Sequence, residues 1–322
     1  MTSTEPRRRG GGAQPDPGVI VVGGEALVDL VAADDGELTP HLGGGPFNCA
    51  RTLGRLEQPV AYLGRLSSDR FGARLRAQLR ADGVSLEAVV DTDDPTTLAL
   101  AELDDAGAAT YRFYVHGTSA PGLAPDAALS ALPSCVSAVH VGTLGLVFEP
   151  MAVALEAVVA HVEPSTLVML DANIRPPVIR DPAAYRARLE RLLPRCDAVK
   201  ASDDDLAWLH PEHAPVEAAR TMLEAGPSVV LLTRGADGVT IVTSGGAQDV
   251  PAAAADVVDT IGAGDAFGGG FLAWWHRTGL GPRDLGRPDA LLDATRFAAL
   301  VAARTVERAG ATPPRLAELP TA

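Results

Sequence analysis

Residues 259–267 read Asp259-Thr260-Ile261-Gly262-Ala263-Gly264-Asp265-Ala266-Phe267. The small residues at 262–264 let a ligand approach the backbone closely. Behind them the spacing predicts a helix with Phe267, Phe271 and Trp274 or Trp275 on its buried face. A helix start presents unpaired N–H groups and the positive end of the dipole, which together suit an anion. Asp265 falls in that first turn. A lone acid there would simply favour the dipole. Gly-x-Gly with Asp directly behind it does more, because it sets a carboxylate beside the anion site. Repulsion makes that carboxylate useless as a phosphate ligand. It can instead act as the base for a hydroxyl that attacks the phosphate.

Upstream of this segment, short apolar runs alternate with amphipathic stretches. Val19–Val22, Val60–Leu63, Val136–Val141, Thr166–Leu170, Ala198–Ala201 and Val229–Leu232 read as strands. Pro46–Leu56, Phe71–Leu79, Met151–His161, Pro182–Leu193 and Val216–Ala225 read as helices. This alternation predicts an α/β fold, a parallel sheet covered on both faces. Two stretches break the rhythm. Thr96–Leu103 and Thr110–Val115 flank the turn Asp104-Asp105-Ala106-Gly107 and read as an antiparallel hairpin, and the segment from Leu30 to Gly45 is also strand-like. These strands form either a small sheet lying over the site as a lid or an edge hairpin of the main sheet.

Composition narrows the partners. The 322 residues suit one large domain or one with a small insertion. The formal charge of −14 makes the chain a poor non-specific binder of nucleic acid or anionic membrane. Lys200 is the only lysine, and it fits neither the P-loop nor the protein-kinase lysine motif, so those two grips on ATP are excluded. Cys49, Cys135 and Cys196 show no metal-ligand spacing and are odd in number, which predicts free thiols and a cytoplasmic location. Residues 127–148 lack charge but contain Pro133, His140, Gly142 and Gly145, so they read as a loop plus a buried strand and not as a membrane span. Residues 1–17 read as a disordered tail: Arg7-Arg8-Arg9 and Gly10-Gly11-Gly12 are followed by no apolar stretch of the kind an export signal needs.

Other segments also carry polar groups near strand ends. Gly43-Gly44-Gly45-Pro46-Phe47-Asn48 precedes a helix. Its glycines let the chain press against a polyol, and Asn48 offers both a donor and an acceptor; the plain alternative is a flexible turn. Gly24-Glu25-Ala26-Leu27-Val28-Asp29 follows the first strand, where ligands of open α/β sheets bind, so Asp29 is a candidate hydroxyl acceptor or a solvated turn acid. Asp171–Pro176, Lys200–Asp205 and Thr233–Gly238 each follow an apolar run. Each is a helix cap or turn by itself, but all lie where strand ends converge on one cleft.

With these motifs on the page, Asp259–Phe267 resembles the C-terminal signature of the ribokinase-like, or PfkB, carbohydrate kinases. Gly43-Gly44-x-x-x-Asn48 resembles the N-terminal signature, and Gly64-Arg65-x-x-x-Asp69-x-Phe71-Gly72 is similar to the segment that follows it. The resemblance spans Val19 to about Pro314, and Gly24–Leu30 with Gly45–Asn48 looks most like the fructokinase branch. It implies a three-layer αβα sandwich with a mainly parallel sheet and a small β lid. The kinase domain would run over 18–322, with lid strands inserted at roughly 30–45 and 90–115. The lid would join two copies as a homodimer.

The resemblance also implies roles. Asp265 would take the proton from a primary hydroxyl, and the amides of Gly262, Ala263 and Gly264 would form the anion hole. Asp29, Gly43, Gly44 and Asn48 would hold the sugar. Thr233, Gly235 and Gly238 would contact ATP, and Lys200 and Ser202 are expected to bind the cofactor as well. The family's Asn-x-x-Glu element, which organises Mg²⁺, aligns with Ser202-x-x-Asp205, a departure that leaves Asp205 an indirect metal contact. Asp259 matches a monovalent-cation site, taken as K⁺. A sibling group phosphorylates 2-keto-3-deoxygluconate through a lid arginine, and here that position is His116. An ordinary imidazole, largely uncharged at pH 7, makes a poor carboxylate clamp. Arg112 or Arg175 could stand in. The expected activity is therefore ATP-dependent phosphorylation of a small neutral sugar, fructose first. The alternatives are a ketodeoxygluconate kinase, a ribokinase, or a non-catalytic binding regulator on the same fold.

Overall fold

The computed structural model describes residues 18–32, 36–103 and 109–320, with side chains outside 101–111. The tail 1–17 and the turn 104–107 lie outside the described residues.

The main sheet has nine strands: β1 (Val19–Gly23), β4 (Val60–Ser67), β5 (Val89–Thr92), β8 (Val136–Gly142), β9 (Leu167–Asp171), β10 (Ala198–Ser202), β11 (Val229–Thr233), β12 (Val239–Thr243) and β13 (Gly246–Val250). Their order is β13-β12-β11-β10-β9-β8-β1-β4-β5. All neighbours from β11 to β5 are parallel, and β12 and β13 close one edge antiparallel. The central strands are near-continuous apolar runs because both faces are covered. Alternate residues part accordingly. Ile20, Val22, Ala138, Met169, Ala198 and Leu231 join one core, and Val21, Val139, Val168, Leu170, Val199 and Val230 join the other.

Helices α1 (Gly45–Arg55), α2 (Arg70–Ala81), α8 (Ala263–Arg277) and α9 (Pro288–Val306) cover the first face. Helices α3 (Pro125–Ser130), α4 (Met151–His161), α5 (Pro182–Leu192), α6 (Asp203–Leu209) and α7 (Pro215–Glu224) cover the second. The three-layer arrangement follows the expectation from the pattern, and α4 matches it residue for residue. The uncharged stretch 127–148 contains the end of α3 as well as β8. Asp69 caps α2 through the Gly72 amide at 2.8 Å and also holds Thr96, its amide at 2.8 Å and its hydroxyl at 2.7 Å.

A separate four-stranded sheet, ordered β3-β2-β6-β7, consists of β2 (Leu27–Ala32), β3 (Leu38–Gly43), β6 (Leu98–Leu103) and β7 (Ala109–Tyr114). The hairpin is therefore part of a second sheet and not an edge of the main one. Its bounds differ from the sequence reading. The small sheet begins at Leu27, and β5, which overlaps the start of the stretch 90–115 assigned to the lid, pairs with β4 in the main sheet. Four residues pairing beside an existing edge leave no local signal that tells one sheet from the other.

Helix α8 carries three consecutive glycines in its interior, which costs helix stability. Packing accounts for the middle one. A Cβ on Gly269 would stand 2.7 Å from Thr52 Cβ and 3.0 Å from the Cys49 carbonyl, so only glycine lets α1 close against α8. We expect Gly269→Ala to lower stability by about 1–3 kcal/mol through overpacking despite the better helix former. A thermal melt checks it, and an unchanged or raised midpoint would contradict the close-packing account.

Candidate active site

The strand ends of β8, β9, β10 and β11 line up in register: Gly142 beside Asp171, Lys200 across from Asp171, and Ser202 beside Thr233. Helix α8 starts above this row. Its N-cap Gly262 is left-handed at φ 78°, and a Cβ there would stand 2.5 Å from Ala311 Cβ. The amides of Gly262 and Gly264 find no acceptor among the described residues, so they remain available to an anion. The Ala263 amide is instead turned back to the Thr260 carbonyl at 3.3 Å.

Asp265 is buried in the same turn. Asn48, early in α1, donates Nδ2–H to its Oδ2 at 2.9 Å. Its Oδ1 lies beside Gly45, where a Cβ would come within 3.2 Å. Burial pushes the Asp265 carboxyl up to about 6. The Asn48 hydrogen bond opposes that rise, the neighbouring Asp171 charge adds to it, and Lys200 and Arg175 oppose it. Asn48 Oδ1 is buried without a partner, an acceptor left over for a hydroxyl.

Behind the glycine loop sits Glu25, which the sequence reading did not single out. Its Oε1 accepts from the Thr143 hydroxyl at 2.5 Å and from the Gly45 amide at 3.2 Å, while Oε2 is buried and unpartnered. Burial, aided by Asp265, raises its carboxyl to about 7. The available signal was an acid set inside the apolar run that follows β1. Thr143 is 118 positions away and could not be paired with it from sequence.

Asp29 is not at the end of β1. It lies within β2, opposite His41 in β3, half-buried, and accepts no hydrogen bond from the described residues. Its carboxyl reaches Gly43, where a Cβ would come within 2.2 Å of Oδ2. Burial raises it to about 6. Gly44, at φ 109°, caps α1, and a Cβ there would strike the Glu25 carbonyl at 2.5 Å. Glycines 43–45 thus pack against Asp29, Glu25 and Asp265 in turn.

The remaining candidates are placed differently. Lys200 is buried and donates to both oxygens of Asp171, at 2.8 and 3.0 Å. Ser202 and Asp205 form a capping box. The Asp205 Oδ2 accepts from the Ser202 amide and hydroxyl at 2.8 and 2.7 Å, and Oδ1 accepts from the Ile174 amide at 2.6 Å. Both oxygens are already used, which makes Asp205 a loop clamp and a poor fit to a metal. Asp259 likewise accepts the amides of Ile261 at 2.9 Å and Gly310 at 2.8 Å. Among the described residues no three His, Cys, Asp or Glu side chains converge to hold a metal ion.

Thr233 ends β11, its hydroxyl reaching the Ala201 carbonyl at 3.4 Å, and Gly235 and Gly238, at φ 53° and 88°, form the turn into β12. Arg175 is exposed on the loop after β9, and its Nη1 donates to the Ile174 carbonyl at 3.1 Å. His116 is exposed, 3.3 Å from Arg180 Nη2, on the rim of a cavity of about 490 Å³ lined also by Arg65, Phe148 and Tyr185. None of Gly43, Gly44, Asn48 or Asp265 lines that cavity. The open amides and the buried carboxylate meet at Asp265, away from this cavity.

A buried carboxylate, an open helix N-terminus and a second sheet are features that would suit a phosphotransferase of the α/β class with a hydroxyl acceptor. The family model for pfkB family carbohydrate kinases matches residues 19–318, and the chain belongs to that family and is a sugar kinase. It is 36% identical over 259 residues to a fructokinase of Rhizobium leguminosarum bv. trifolii, covering 79% of each chain. Among solved structures it is similar to fructokinase with bound ATP from Xylella fastidiosa, at 28% identity and TM-score 0.84, covering 93% of this chain and 96% of that one. It is also similar to fructokinase from Vibrio cholerae O395 in a fructose, ADP and calcium ion bound form, at 26% identity and TM-score 0.80, covering 92% and 95%. The fold is ribokinase-like.

Glu25 gives a pH test. Its folded-state carboxyl is raised, so the folded chain binds a proton more tightly than the unfolded chain and loses stability as pH rises toward and through 7. Glu25→Gln removes this loss. Its stability relative to the parent should improve by about 1 kcal/mol between pH 6 and pH 8. A stability difference that is flat with pH would rule out a strongly raised carboxyl.

Proposed function

We propose that this chain is an ATP-dependent fructokinase that transfers the γ-phosphoryl group to a primary hydroxyl of the sugar. The observation that carries the reading is Asp265, a buried carboxylate in the same helical turn as the open amides of Gly262 and Gly264. Asp265, oriented by Asn48, takes the hydroxyl proton as the sugar oxygen bonds to the γ-phosphorus and the bond to the ADP oxygen breaks. The amides of Gly262 and Gly264 receive the phosphoryl oxygens as charge shifts across them. Ala263 gives that turn its shape, its own amide being already hydrogen-bonded. Asp29 and Asn48 Oδ1 accept hydroxyls, and Gly43 and Gly44 let the sugar lie against the backbone. Thr233, Gly235 and Gly238 shape the nucleotide side.

The divalent ion, for which we infer Mg²⁺, neutralises phosphate charge when bound. With Asp205 consumed as a clamp, phosphate oxygens and water would make up most of its shell. Fructose is preferred because the relative at 36% identity carries that specificity in its name. Residues Leu38 and Tyr114, 52% and 51% exposed on the edge strands β3 and β7, support a homodimer through the small sheet. Three free thiols support a cytoplasmic location.

Asp265→Asn should fold normally and lose about 10²–10⁴-fold in turnover, read as ADP release with fructose. Turnover like the parent's would sink the assignment. Because the Asp265 carboxyl is raised to about 6, kcat/KM for fructose should fall as pH drops through 6. Assays of glucose, ribose and 2-keto-3-deoxygluconate alongside fructose test the choice of sugar. ATP binding without ADP release from any of them would point to a regulator.

A further inference from the structure

Lys200 is the chain's only lysine, and it is 4% exposed. It stands in β10 directly across from Asp171 in β9, on the sheet face that α8 covers. Two of its three donors go to the Asp171 carboxylate. A Cβ on Gly264 would lie 3.1 Å from its Nζ, so the ammonium sits under the first turn of α8, beside the residue that precedes Asp265. Glycine at 264 makes room for this ammonium. A cation buried and committed in this way is held at the turn itself.

We propose that Asp171 and Lys200 form a balanced charge pair that positions the first turn of α8 and sets the readiness of Asp265 to accept a proton, Lys200 acting as a positioning residue and not as an ATP ligand. This rests on the reading of Asp265 as the base. Both members of the pair act on Asp265, with opposite signs. Asp171 alone would press a proton onto Asp265, and Lys200 offsets it. Burial opposes charge on Lys200, but Asp171, Asp205 and Asp265 overcome that and hold the ammonium charged.

The other groups facing this centre cannot substitute. Asn48 and Cys49 approach from α1 without charge, and Glu25, after β1, adds only like charge. His140, on β8, is buried with both ring nitrogens unpartnered; burial and Lys200 push its imidazole down to about 3, so it is neutral. Asp205, from α6, acts on Lys200 but is tied to Ile174 and Ser202. Arg175 is the remaining cation near Asp265, and it is exposed to solvent.

The test is a charge cycle of Lys200→Met, Asp171→Asn and the double variant, each with a melt to confirm folding. The readouts are the acid limb of kcat/KM for fructose and the titration of the Asp265 carboxyl by ¹³C NMR, its resonance assigned through Asp265→Asn. Lys200→Met should move both upward by about one pH unit, and Asp171→Asn should move them downward. The double variant should return close to the parent, and the KM for ATP should stay within about threefold throughout. A purely structural pair would not give shifts of opposite sign. If Lys200→Met does not fold, the other two variants still complete the comparison. An Asp265 titration that is unmoved in every folded variant, or a KM for ATP raised tenfold with the acid limb in place, overturns the proposal. Either result leaves the base reading intact, since that reading fails only if Asp265→Asn keeps its turnover.

Discussion

The close approach of α1 to α8 at Gly269 is the constraint on which the site depends. Thr52 and the Cys49 carbonyl occupy the space a side chain would fill. One turn along each helix, the same contact brings Asn48 Nδ2 to Asp265 Oδ2. The two residues are 217 positions apart, so no local propensity holds them together. Helix packing does, and small residues on one helix are its condition. The glycine loop before α1 is carried into place by the same contact, which sets Gly45 beside Asp265 and ties it back to Glu25.

A chain of net charge −14 that handles a polyanion needs a local positive field. Here it comes from the helix dipole and from uncapped amides of a turn whose N-cap is a left-handed glycine. The side-chain cations acting on Asp265 are Lys200 and the solvent-exposed Arg175. The lysine is buried under that turn and neutralised by Asp171. Burial has the opposite effect on the acids. Glu25, Asp29 and Asp265 are all raised, so each sits closer to neutral pH than a free carboxylate. For Asp265 that rise suits a proton acceptor, whose best range lies near the working pH.

Local chemistry was legible in the sequence, and long-range pairing was not. The alternation of apolar runs and helical spacing located the strands of the parallel sheet except β5, and Gly262-Ala263-Gly264-Asp265 marked the start of a helix with an acid in its first turn. Asp29 was read at the end of β1 because the segment Gly24–Asp29 follows the first apolar run. The chain instead leaves the main sheet at Gly24 and starts a new strand. Ser202-x-x-Asp205 looked like a metal-organising element by resemblance, but the spacing is also that of a capping box, and the structure uses it as one. Asp171 and Lys200 were seen separately, each near the end of an apolar run. Only the register of β9 against β10 shows that they face each other.

The division of labour in the site follows from which sheet carries which group. Asp265, its partner Asn48 and the open amides all belong to the helical layer packed on the main sheet, which is held from several sides. Asp29 belongs to the small sheet, whose strand β2 continues from β1 through only Gly24, Glu25 and Ala26. It is partly desolvated and accepts no hydrogen bond from the described residues. A carboxylate in that state gains most from a charge-assisted bond to a hydroxyl that arrives from outside. The small sheet and α8 are therefore joined at the glycine loop, where Gly43 touches Asp29, Gly44 meets the Glu25 backbone and Gly45 lies against Asp265. On the proposed function, a sugar that satisfies Asp29 would be held against the loop that borders Asp265, so selection of the substrate and placement of its hydroxyl would be one event.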